Sequence, residues 1–124
     1  MASVKEIAWV AGILEGEGCF FASNKKCLAS AVIALVSTDL DVILKFKEIT
    51  KCQNQVQISR RNSKYWKTSY KILVSGNLSI QWMMTIYSLM GTRRKEKIAE
   101  LLSNWERSLG SGAPGRLRVI KKVG

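Results

Sequence analysis

Residues 4–18, VKEIAWVAGILEGEG, run an apolar helical stretch straight into two glutamates separated by single glycines. Ser3 can serve as the N-cap with Glu6 reaching back as its capping-box partner, so the helix begins near Val4. Ala8, Ala11, Gly12, Glu15 and Gly16 fall at i, i+3, i+4, i+7 and i+8, one face of a 3.6-residue period. All but Glu15 are small, and such a face admits a second backbone at close range. Ile7, Val10, Ile13 and Leu14 lie around the other sides and suit the domain's own core. A helix committed on two flanks dictates what the rest of the chain must cover. Its glycines then allow a sharp exit that carries the carboxylates of Glu15 and Glu17 out of the buried seam. The same letters also suit a core helix with a glycine C-cap and two solvated glutamates, so the rest of the chain has to decide.

Composition narrows the choice. A chain of 124 residues with 47% hydrophobic content makes one domain, assigned to residues 1–109, with 110–124 as a flexible basic C-terminal tail. Twenty Lys and Arg against nine Asp and Glu give a net charge of +11, which favours an anionic partner such as nucleic acid or an acidic membrane surface. No run of 18 apolar residues and no basic-then-apolar leader is present, so the expectation is a soluble intracellular protein of cytoplasm, nucleoid or organelle. Cys19, Cys27 and Cys52 are odd in number and lack CxxC spacing, which argues against a disulfide framework or a zinc site. The absence of histidine removes His-dependent triads, His-ligated metals and His general bases. Any hydrolysis would then rest foremost on carboxylates holding a hard cation.

Along the chain, the β-prone residues 19–23 and 28–37 flank a turn at Asn24-Lys25-Lys26 and read as a hairpin. In the second strand Ile33 and Leu35 mark the core face, leaving Ser30, Val32, Ala34 and Val36 on the other. Thr38 or Asp39 caps a helix in which Val42, Ile43, Phe46 and Ile49 recur at helical spacing, ending near Lys51. Residues 55–61 alternate, with Gln55, Gln57, Ser59 and Arg61 outward, and 69–75 alternate with Ser69, Lys71, Leu73 and Ser75 outward. These close a second hairpin around Lys64. Gly76-Asn77 breaks the strand, residues 78–89 form a buried helix with Trp82, Met83 and Met84 in the core, and a last helix follows Gly91 with Ile98, Leu101, Leu102 and Trp105 inward. Residues 110–115 read as linker. The order helix, hairpin, helix, hairpin, helix, helix is an α+β domain with helices covering one face of a four-stranded antiparallel sheet.

Residues 10–18, Val10-Ala11-Gly12-Ile13-Leu14-Glu15-Gly16-Glu17-Gly18, resemble the signature nonapeptide of the LAGLIDADG homing endonucleases. They match its Ala and Gly at the second and third positions and its Gly at the ninth, with glutamate in place of aspartate at both acidic positions. Over residues 1–105 the element order is also the one this resemblance implies: a saddle that lies in the DNA major groove, backed by helices and dimerising through the first helix. The resemblance further implies a homodimer that packs Ala8, Ala11, Gly12, Glu15 and Gly16 against a second copy. It implies hydrolysis of both strands of a long, near-palindromic site with Mg²⁺ or another divalent cation, as in enzymes of mobile introns. Glu17 takes the metal-binding position, Gly16 lends its carbonyl, and Glu15 is more structural. Asp39 matches a polar residue lining the pocket of the hydrolytic water. Arg93 or Arg94 matches the basic residue near the scissile phosphate. On the saddle, Ser23, Ser30, Gln55, Gln57, Ser59, Arg61, Ser69, Lys71 and Ser75 are the polar side chains suited to base edges or phosphates. Val32, Ala34 and Val36 could contact thymine methyls, Leu73 shares the DNA-binding face, and Lys25, Lys26 and Lys64 would reach the backbone from the hairpin tips. A second function is compatible with the same fold: a non-cleaving nucleic-acid binder, either an intron splicing cofactor acting on RNA or a DNA-binding regulator. An acidic residue at position 17 favours the enzyme.

Overall fold

The computed structural model describes residues 2–25, 28–59 and 68–112. Helix α1 (Val4–Glu17) starts with the expected reciprocal cap: the Glu6 N–H donates to Ser3 Oγ at 3.2 Å and the Ser3 N–H donates to Glu6 Oε1 at 2.9 Å. The Ser3 N–H contact is also the main reason the Glu6 carboxyl titrates below its ordinary value. Val10, Ala11 and Leu14 are the buried residues of α1, with Ile7, Trp9 and Ile13 packed half-buried beside them.

After α1 come β1 (Gly18–Lys25), β2 (Leu28–Ser37), α2 (Leu40–Thr50), β3 (Gln57–Ser59), β4 (Ser69–Val74), α3 (Gly76–Ile86), a 3₁₀ turn (Tyr87–Leu89) and α4 (Thr92–Gly112). All strand pairs are antiparallel, in the order β1-β2-β4-β3, so the second hairpin docks its later strand inside. Phe20 pairs with Ile33, Ile33 with Val74 and Leu35 with Ile72, which places these side chains on one face under the helices. Ile33, Leu35, Ile72 and Val74 are fully buried there with Ile43, Phe46, Met83 and Ile98. Each such aliphatic side chain withdrawn from water contributes about 1.5 to 3 kcal/mol.

Two turns need unusual backbone. Lys51 ends α2 in the left-handed region (φ 63°), and its N–H and that of Cys52 return to the carbonyls of Glu48 and Lys47 at 3.3 and 3.2 Å. Gly76 has φ +67°, which lets β4 turn directly into α3. The buried hydroxyls are satisfied: Ser79 Oγ donates to the Ala31 carbonyl at 2.5 Å, pinning α3 to β2, and Thr50 Oγ1 donates to the Phe46 carbonyl at 2.8 Å.

The expected α+β architecture holds, with local corrections. Among the described residues β3 begins at Gln57 instead of residue 55. The Leu73 carbonyl accepts there from Cys52 Sγ at 3.2 Å and Asn54 Nδ2 at 2.6 Å, so side-chain donors stand where a longer β3 would have paired. Met84 is not a core residue: next to buried Met83 on α3, it is turned about 100° away and is 56% exposed. Residues 110–112 continue α4 instead of starting a linker, since adding residues to a formed helix costs far less than nucleating one. The basic segment 116–122 lies outside the described residues. No helix among the described residues is long and apolar enough to cross a membrane.

Candidate nucleic-acid interface and acidic elbow

The passage from α1 into β1 is an elbow that only glycine can make. A Cβ on Gly18 would lie 2.6 Å from Leu14 Cδ2 and 2.8 Å from the Leu14 backbone. The elbow gives the two glutamates different surroundings. The Glu15 carboxylate turns back toward α4, where Oε1 accepts the Gly91 N–H and Oε2 lies 3.4 Å from Arg94 Nε, an ionic contact without hydrogen-bond alignment. Arg94 Nη1 also donates to the Gly18 carbonyl, and its guanidinium stands 5.8 Å from the Phe20 ring centroid. Glu17 is exposed and has no hydrogen bond or ion pair among the described residues.

Arg94 therefore departs from the expectation that it faces a phosphate. Its side chain is 16% exposed and is occupied in joining α4 to the elbow. Arg93 stays exposed and lines a crevice of about 360 Å³ with Gly18, Cys19, Phe20, Lys97 and Arg94 itself. Lys97 was not singled out from the sequence. Its signal was the i+4 spacing from Arg93, which puts both cations on one helical face. Lys97 Nζ lies 3.6 Å from Glu100 in an exposed pair. Asp39 stands at the N-cap position of α2 but its carboxylate makes no capping bond, while its backbone N–H donates to Ser37 Oγ at 3.0 Å. Because Gly18 pairs with Leu35, the end of β2 that leads to Asp39 lies beside the Glu17 elbow.

On α1, Ala8, Gly12 and Gly16 are exposed at successive i+4 positions, and a Cβ on either glycine would meet nothing within 4 Å. Ala11, placed on the same face by the sequence, is 4% exposed and packs into the chain's own core. The free small-residue strip is thus narrower than expected. Glu15 borders it with its carboxylate held by α4.

The sheet face opposite the helices carries Cys19, Phe21 and Ser23 of β1 in register with Ala34, Val32 and Ser30 of β2. Leu73 follows on β4 opposite Ala34, and Lys71 lies between Val36 of β2 and Gln57 of β3. Ser59 and Ser69 pair at the far edge, while Gln55 and Ser75 are exposed beside it. The alternation read from the sequence is therefore right, but Val32 and Ala34 are only 4% and 5% exposed. Their expected contact with bases is corrected: flanked by larger neighbours, they form the floor of the face. Lys25 ends β1 opposite Leu28, and Ser30 of β2 pairs with Ser23. Lys26, Arg61 and Lys64 lie outside the described residues.

Among solved structures, the group I intron-encoded homing endonuclease I-CeuI complexed with DNA superposes with a TM-score of 0.59 at 12% identity, over 90% of this chain and 64% of that one. The archaeal intron-encoded homing endonuclease I-Vdi141I complexed with DNA superposes with a TM-score of 0.59 at 15% identity, over 86% of this chain and 68% of that one. The fold is that of the LAGLIDADG homing endonucleases. At these identities the likeness is one of fold, and this chain spans less than two thirds of the I-CeuI chain. No family model and no curated protein matches the sequence. The nonapeptide of residues 10–18 occupies the end of α1 and the elbow.

The donor chemistry at that place suits a hard cation. Glu17 offers a free carboxylate, and Gly16, in the last turn, has a carbonyl beyond the reach of the helix's own N–H groups. Among the described residues no three of His, Cys, Asp and Glu are grouped to hold a metal within one chain. A cation held here would need donors beyond these two.

Proposed function

We propose that the chain acts as a homodimeric, divalent-metal-dependent, site-specific DNA endonuclease of the homing type. The observation that carries this reading is Glu17: an exposed carboxylate without a partner among the described residues, at the elbow where the free Ala8, Gly12, Gly16 strip of α1 ends and the sheet face begins. Two α1 helices packed through that strip bring two Glu17 side chains together near the two-fold axis and set two saddles end to end. Glu17 and Gly16 are the groups that would hold Mg²⁺ or a similar ion, which when bound supplies water activation and charge stabilisation at the phosphate.

The chain's own residues supply the rest. Arg93 and Lys97 face the crevice beside Glu17 and offset negative charge on the phosphate; an arginine there stabilises charge and does not exchange a proton. Asp39 accepts hydrogen bonds from water at the same end of the sheet. Arg94 keeps the elbow in place. β1 and β2, of 8 and 10 residues, span about 26 to 33 Å, enough for roughly 8 to 10 base pairs in each arm. Identical subunits then favour a near-palindromic site of about 16 to 20 base pairs.

The test is a randomised duplex library incubated with Mg²⁺, followed by sequencing of cut ends. Wild type should cut both strands at an enriched site, and Glu17→Gln should bind that site equally well without cutting it, because the change removes the charged oxygen ligand and keeps the shape. Binding without cutting by wild type would assign the chain to non-cleaving DNA binders. Robust cutting by Glu17→Gln would remove Glu17 from the chemistry.

A further inference from the structure

A protein of net charge +11 would be expected to line its duplex-binding face with cations, yet the described middle of this sheet face is apolar and amide-bearing. Among the described side chains of the face Lys71 is the sole charge, and there is no carboxylate. A groove of about 700 Å³ is walled by Phe21 and Leu73, floored by buried Val32 and rimmed by exposed Gln55 and Gln57. The register fixes the order across it. Phe21 lies opposite Val32, Leu73 opposite Ala34, and Gln57 opposite Lys71 one ladder step away.

We propose that this groove reads A·T base pairs in the central part of each arm, a specificity that rests on the reading of the face as a DNA-binding surface. Each base pair shows a distinct edge in the major groove, and the residue types that read G·C pairs are largely missing here. Guanine is taken by a cation donating to O6 and N7, and the amino group of cytosine by a carboxylate. Among the described residues of the face only Lys71 could serve the first role, and none could serve the second. An A·T pair presents what the groove does match. The thymine C5-methyl is the one apolar projection in the major groove and fits against the half-buried Phe21 and Leu73. A Gln amide holds a donor and an acceptor in one plane, complementary to N7 and N6–H of adenine, and both Gln55 and Gln57 are exposed on the rim. Among the described residues of the groove, guanine readout is confined to the single step beneath Lys71.

The experiment uses binding, so it is independent of cleavage. The full chain is taken through selection on randomised duplexes without added divalent metal, and the enriched site is then resynthesised with uracil in place of thymine, which deletes only the C5-methyl. Consecutive A·T pairs should be enriched within each arm. Uracil at those pairs should weaken binding about 3- to 5-fold per methyl, and Gln57→Ala, at an exposed position, should reduce A·T discrimination at its own step about 10- to 100-fold. Enrichment of G·C pairs at these steps would overturn the inference, as would a preference indifferent both to uracil and to Gln57→Ala, and either would leave the DNA-binding reading standing. A chain that binds no duplex would overturn both.

Discussion

Replacing Arg94 with methionine separates two roles that the sequence alone left joined. The substitution keeps the aliphatic stem beside Phe20 and deletes the guanidinium, leaving the Gly18 carbonyl without its donor and Glu15 with the Gly91 N–H alone. Breaking a fully buried pair costs about 3 to 5 kcal/mol, and an exposed one about 0 to 1. Here the two side chains are 16% and 42% exposed, so solvent screening places the loss between, at about 2 kcal/mol. For a domain of this size that lowers the melting temperature by roughly 5 to 12 °C. The assay is thermal and urea unfolding of a double-mutant cycle with Glu15→Gln, in which the two changes should be strongly non-additive, with a coupling of about 1 kcal/mol or more. Arg93→Met, at an exposed position, should leave stability within about 0.5 kcal/mol while lowering the slope of log binding constant against log salt by about 0.9 per chain. Additive effects of Arg94→Met and Glu15→Gln, with the salt slope reduced by Arg94→Met, would refute the latch and return Arg94 to the phosphate.

Gly18→Ala should destabilise the chain by about 1 to 3 kcal/mol, read by urea unfolding, because its Cβ would fall 2.6 Å from Leu14 Cδ2 and close to fixed backbone. Gly12→Leu should leave the subunit's own fold intact, since a Cβ there meets nothing within 4 Å, but should shift sedimentation from dimer to monomer. An unchanged dimer would place the assembly face elsewhere. Ser3→Ala should cost about 1 kcal/mol at neutral pH. The lowered pKa of Glu6 means its share of the cap is present above the ordinary carboxylate range and disappears as pH falls through the folded-state value, so wild type and Glu6→Ala should converge in acid.

What the sequence disclosed and what it hid divide by the range of the interaction. The Ser3 and Glu6 cap, the inward phase of Ile33 and Leu35, the outward phase of Gln57 and Lys71, and the strand break at Gly76 all depend on residues a few positions apart, and each is as read. The exposure of Met84 turns on where α3 happens to meet its neighbours, which two adjacent apolar letters do not specify. The shielding of Val32 and Ala34 depends on what β1 and β4 bring alongside them, Phe21 and Leu73. The contact of Arg94 with Glu15 was not legible, because Glu15 lies 79 positions earlier and no local pattern joins the two.

The same distinction explains how one short motif yields two chemical roles. Glu15 and Glu17 differ by a single glycine and carry identical carboxylates, so nothing intrinsic separates them. Glu15 is still on the helix at a point where α4 begins, and a helix beginning offers what a carboxylate seeks: the Gly91 N–H just ahead of α4 and the guanidinium of Arg94 in its first turn. Glu17 is the last helical residue before the Gly18 elbow, two residues or about 200° further around the helix, and it has left that side. Satisfying the first carboxylate within the fold fixes the elbow, and fixing the elbow holds the second where no group among the described residues meets it. For this reason substitutions at Arg94 and Glu15 should act on Glu17 without touching it.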